Sequence, residues 1–140
     1  MKRASVIVVS ALLLAACGGG GGGGNSDAAQ VKRTWTKFFA TSTPVSQKLT
    51  LLQDGPKFEA AITSLASNPL AQQLHVKVSS VTLEGANKAK VVYSIYLGNS
   101  SVLSNQTGYA YKQNGKWLVG YAGLCKLVGL AGKAPAACTA

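Results

Sequence analysis

Acid is what this chain has least of. Against 14 Lys and Arg it carries four carboxylates, and it has one histidine, one methionine, three cysteines and four prolines. A protein metal site needs several converging ligands, and Asp27, Asp54, Glu59, Glu84 and His75 are scattered along the sequence. Metal binding is therefore excluded as a reading, and no cofactor is expected. The absence of a Cys-x-x-Cys spacing removes redox catalysis and thiolate metal sites. Each carboxylate has a structural place: Asp27 (or Ser26) as a helix cap, Asp54 at a helix end, Glu59 in a first helical turn where the dipole favours it, Glu84 beside a turn. No general base is left over and no Ser-His-Asp context exists, so a non-enzymatic protein is expected. His75, next to Lys77, reads as a surface residue. The apolar stretch from Val6 to Leu14 falls short of the about 20 residues that a membrane-spanning helix requires.

That stretch follows Lys2 and Arg3 and leads into Ala15, Ala16 and Cys17, the layout of a signal peptide. The run Leu14-Ala15-Ala16-Cys17 resembles the bacterial lipoprotein box. The resemblance implies that residues 1–16 are removed, that the Cys17 thiol carries diacylglycerol, and that the new N-terminus is acylated in the palmitate manner. Two or more chains anchor stably where one does not, at ~0.8 kcal/mol per buried methylene. The expected address is the outer face of the cell membrane, with a secreted form as the alternative. Removing residues 1–16 leaves 124 residues with 12 basic side chains against four acids, a formal charge of +8. Outside the membrane such a charge is expected to meet anionic lipid or cell-wall polymer, not nucleic acid; a merely solvated basic surface is the alternative. Cys125 and Cys138, two cysteines in an oxidising compartment, are expected to form a disulfide.

Gly18–Gly24 with Asn25 and Ser26 reads as a flexible linker, part of a segment 17–26 that joins the lipid to a single domain 27–140. About nine such residues reach only ~15–18 Å. Within the domain, Val31, Trp35, Phe38 and Phe39 recur at helical spacing opposite Arg33 and Lys37. Thr43-Pro44 predicts an N-cap and first turn for a second helix bearing Val45, Leu49 and Leu52, stopped by Gly55. Pro56 opens a third, with Phe58, Ile62 and Leu65. From Leu74 the period drops to two. A phase change at Ser79-Ser80 predicts a bulge, a long strand follows over 88–97, and Asn114-Gly115 predicts a two-residue hairpin pairing Tyr111 with Leu118. That register places Trp117, Val119 and Tyr121 on the core face with Gly108 and Ala110, and Tyr109, Tyr111 and Leu118 on the opposite face as an exposed interaction patch for a partner or a second copy. The triplets at Asn99 and Asn105 read as turn residues.

Helices followed by a meander of about four antiparallel strands imply an α+β fold, a curved sheet around N-terminal helices. It resembles the cone of nuclear-transport-factor-2-like domains. Phe38-Phe39 with Ser42-Thr43-Pro44, Leu51–Gly55, Asn68–Ala71, Asn105–Gly108, Asn114–Trp117 and Lys133–Cys138 resemble the low-molecular-weight secreted antigen family of mycobacteria and related actinobacteria. The resemblance implies fold and location and transfers no active site. The aromatic set Trp35, Phe38, Phe39, Phe58, Tyr93, Trp117 and Tyr121 is read chiefly as core, and alternatively as the lining of an apolar pocket. The functional expectation is a lipid-anchored domain with a non-enzymatic binding or interaction role at the cell envelope. A cone-fold enzyme or carrier acting on a small apolar molecule is the alternative, and a structural envelope protein held by charge is the third reading.

Overall fold

Val31, Trp35, Phe38 and Phe39 are all buried on one side of a helix. That helix, α1, spans Gly22–Phe39 in a computed structural model that describes residues 22–132 and 134–139. The signal-peptide segment 1–16, Cys17 and residues 18–21 lie outside the described residues. Because α1 starts at Gly22, it takes in glycines expected to hold no regular element. Once the packed turns exist, each further residue adds a hydrogen bond without a new nucleus, so the helix propagates through poor formers. Asp27 therefore lies inside α1 and is not its cap. Its carboxylate accepts hydrogen bonds from Trp117 Nε1 at 3.2 Å and Lys112 Nζ at 3.4 Å, tying α1 to the last hairpin.

Thr43 also departs from the cap expected of it. Its hydroxyl donates to the Lys37 carbonyl at 2.7 Å, satisfying an orphan acceptor at the end of α1, while Pro44 stands at the N-cap of α2, Val45–Leu51. Leu52 then pairs in parallel with Val119. Gly55 is required by close approach and not as a helix stop, since a Cβ there would run into the Leu49 carbonyl. A 3₁₀ turn, Gly55–Phe58, leads into α3, Glu59–Ser67, and a second, Ala71–Gln73, enters the sheet.

The sheet is an antiparallel meander of β1 (Leu74–Leu83), β2 (Lys88–Leu97), β3 (Ser100–Gln113) and β4 (Lys116–Val119). The expected bulge falls between Val78 and Ser80, and two more irregularities flank Ile95. Bulges bend a strand and raise its twist, and the four strands curl into a half-barrel. Asn105, read from sequence as a turn residue, sits within β3 at φ 52°, its N–H donating to Ser94 Oγ at 3.2 Å. Asn114 and Gly115 have φ of 51° and 76°, as a type I′ hairpin demands, and Tyr111 faces Leu118 as expected.

Tyr121 does not continue the β4 face. It begins α4, Tyr121–Ala131, an element hidden by the alternation of residues 117–121. The signal for α4 is present further on, where Leu124, Leu127 and Val128 are spaced i, i+3 and i+4 and are all buried. Cys125 on α4 is bridged to Cys138, which holds the C-terminal segment against the domain and contributes about 3 kcal/mol by loop closure.

The α+β cone closes on Trp35. Its ring lies 4.9 Å from Tyr93 and 5.4 Å from Phe39, centroid to centroid. A Cβ at Gly108 on β3 would overlap its far edge, and one at Gly123 on α4 would stand 3.1 Å away. Gly108→Ala should therefore cost about 1–3 kcal/mol through overpacking. Gly129→Ala, exposed on the same α4 with open space at its Cβ, should gain up to about 1 kcal/mol. Thermal melts of the two variants check the contrast.

Candidate functional site

The seven aromatic residues divide. Trp35, Phe58, Tyr93 and Trp117 are buried and fill the cone, and Tyr121 stacks on Phe58 at 5.5 Å. Phe38 and Phe39 reach a cleft of about 470 Å³, within the ~300–1,000 Å³ range of small-molecule sites. The cleft lies where α1 ends and β1 begins. Ile62 and Leu65 of α3, Leu74 and Val76 of β1, and Leu124 and Leu127 of α4 supply its apolar walls. Thr41, Ser42, Gln72 and Lys48 are its polar members, together with Thr43, whose hydroxyl is already engaged.

Lys48 is the residue that sequence reasoning missed. It sits beside Leu49 on the flank of the α2 stripe, and a lysine bordering an apolar stripe is a signal for a half-buried cation. Its ammonium lies 6.0 Å from the centroid of Phe38, and burial holds it below the ordinary lysine range. The ion pairs among the described residues are Lys57–Asp54, Lys88–Glu84 and Lys112–Asp27, and Lys48 belongs to none of them. No carboxylate, histidine or cysteine lines the cleft. Among the described residues no group of three or more His, Cys, Asp or Glu gathers as a metal site.

Two buried polar atoms, Trp35 Nε1 and Tyr93 Oη, make no hydrogen bond to protein, and burial pushes the Tyr93 phenol up from its usual range. Neither residue lines the cleft. Both rings bring enough apolar area to outweigh an unmade bond, which costs about 1–3 kcal/mol.

Tyr109, Tyr111 and Leu118 do share the outer face of the sheet, but all three are half-buried and do not form the open patch expected. Lys88 accounts for part of the cover, its ammonium lying 4.5 Å from the Tyr109 ring, and long lysine stems lie readily along apolar surface. His75 is exposed on the same sheet and stacks on Tyr96 at 5.3 Å.

Residues 25–135 match the family described as low molecular weight antigen MTB12, C-terminal domain. The chain belongs to this antigen family. No curated protein matches it. The matched range takes in every wall of the cleft in this antigen-family domain, from Phe38 to Leu127. Among its described residues no helix is long and apolar enough to cross a membrane.

The two faces of the hairpin differ in what they support. Trp117→Ala in this antigen-family domain should cost about 3–5 kcal/mol as a core truncation and also remove one of the two hydrogen bonds that Asp27 accepts. The double variant Tyr109→Ala, Tyr111→Ala should cost clearly less and weaken any self-association. Chemical denaturation and sedimentation velocity measure the two effects; a double tyrosine variant less stable than Trp117→Ala would place the wrong face inward.

Proposed function

We propose that this domain is a lipid-anchored, non-enzymatic binding module of the bacterial cell envelope, and that the cleft between α1, α3, β1 and α4 accepts a small apolar molecule. The observation that carries the reading is the contrast between the cone and its mouth. Large aromatic rings fill the interior, whereas the cleft is walled by aliphatic and phenyl side chains with no carboxylate or histidine among them. Apolar walls with a few polar groups at the edge are the ordinary make-up of a ligand site, and a wall without a carboxylate or histidine supports binding over proton transfer by such groups.

The tether enters from the other end of α1. Asp27 and Phe39 are twelve residues apart on that helix, about 18 Å at 1.5 Å per residue, so the cleft lies at the end of α1 that is farther along the chain from Cys17. Arg33, Lys37 and Lys116 border a shallow groove nearer the tether, and supply positive charge for anionic lipid or cell-wall polymer.

The cleft is tested with Nile red, an uncharged apolar probe. Saturable one-to-one binding by the wild type, lost in Ala66→Trp where the ring fills the cleft from an exposed position on α3, is the expected result. Binding unchanged by Ala66→Trp would place the probe elsewhere and remove the cleft from the reading. The tether is tested by detergent phase partitioning: wild type should enter the detergent phase and Cys17→Ser the aqueous phase. If both stay aqueous, there is no anchor at Cys17.

A further inference from the structure

We infer that the cleft selects a single-chain amphiphile with an anionic headgroup, a carboxylate or a phosphate, and that Lys48 is the residue that recognises the head. The inference rests on the reading of the cleft as a binding site and adds the chemistry of the ligand.

Three observations converge. The walls from α3, β1 and α4 are aliphatic, and they suit an alkyl chain. Lys48 stands on the α2 side of the same cleft, over the ring of Phe38 that forms part of its floor. No carboxylate of the described residues pairs with it, although Asp54, Glu84 and Asp27 each hold another lysine.

A partly desolvated cation without a counter-charge is costly unless an anion completes it. A carboxylate or phosphate oxygen is the strongest partner an ammonium can take. Burial lowers the proton affinity of Lys48, as desolvation of a cation does. Thr41 and Ser42, exposed at the edge of the cleft, add hydroxyl donors for the remaining oxygens of the head. A neutral or cationic head would leave the Lys48 ammonium unpaired or repelled.

The test compares three ligands of equal chain length below their critical micelle concentrations: dodecanoate, dodecyl phosphate and 1-monododecanoylglycerol. Each is titrated by displacement of Nile red from wild type, Lys48→Met and Lys48→Arg. On the wild type at least one anion should bind about tenfold tighter than the neutral glyceride, the ratio that one charge-assisted hydrogen bond supplies. Which anion does so identifies the head. Lys48→Met keeps the apolar stem and should bring the anions to the neutral level while leaving the glyceride unchanged; Lys48→Arg should retain the preference. Melting curves of both variants verify that they fold, and Lys48→Arg reads the charge effect should Lys48→Met not fold. Equal binding of all three ligands by wild type, a preference that survives Lys48→Met, or one that Lys48→Arg abolishes would overturn the role of Lys48 while leaving the cleft as an apolar site. If none of the ligands displaces the probe, the cleft reading falls and this inference with it.

Discussion

The edge of the Trp35 indole lies between two residues without side chains, Gly108 on β3 and Gly123 on α4. Three elements distant in sequence meet at that contact; a methyl at Gly108 would overlap the ring and one at Gly123 would press tightly on it. Protein interiors are packed too closely to absorb such an addition without strain. Because α1 is held there, its two ends are fixed as well: Asp27 reaches Trp117 and Lys112 of the hairpin, and Phe38 and Phe39 are delivered to the cleft. The unpartnered Trp35 Nε1 and Tyr93 Oη show how far packing dominates here, since two polar atoms forgo hydrogen bonds to keep the rings in place.

The cleft is a consequence of how the helices stop. α1 ends against the Thr43 hydroxyl, α3 is short, and β1 starts only after a 3₁₀ turn, and Leu74 and Val76 at the start of the sheet are only partly buried. α4 closes one wall with Leu124 and Leu127. Its position is reinforced by the Cys125–Cys138 bridge, one residue from Leu124. The disulfide thus bears on the shape of the cleft as well as on stability.

Charge is distributed with the same separation of roles. Three of the four carboxylates are committed to lysines, Asp54 to Lys57 and Glu84 to Lys88 locally and Asp27 to Lys112 across the fold. Most other lysines are exposed, where an uncompensated cation costs little because water screens it. Lys48 differs because it is half-buried against Phe38. An excess of base spread over a surface says little about a ligand; one cation set into an apolar wall says a good deal.

Much of the architecture was legible in the sequence because it depends on short-range periodicity. The spacing of Val31, Trp35, Phe38 and Phe39, the phase change at Ser79-Ser80 and the Asn114-Gly115 turn each encode local backbone geometry, and each appears where the pattern places it. The match to the antigen family spans all of these stretches. Tyr121 and α4 were not legible, since the alternation through Val119 conceals the point at which the chain leaves the sheet. Nor were the roles of Asp27, Thr43 and Lys48: a capping residue and a lysine look alike in sequence whether their partner is the next turn, solvent or a side chain ninety positions away. Sequence by itself determined the main elements before α4, the hairpin register and the small residues that admit a large ring. Only the tertiary structure decided that Trp35 is that ring and that the cavity lies at the mouth of the cone, because burial is a property of several segments together and no one segment carries it.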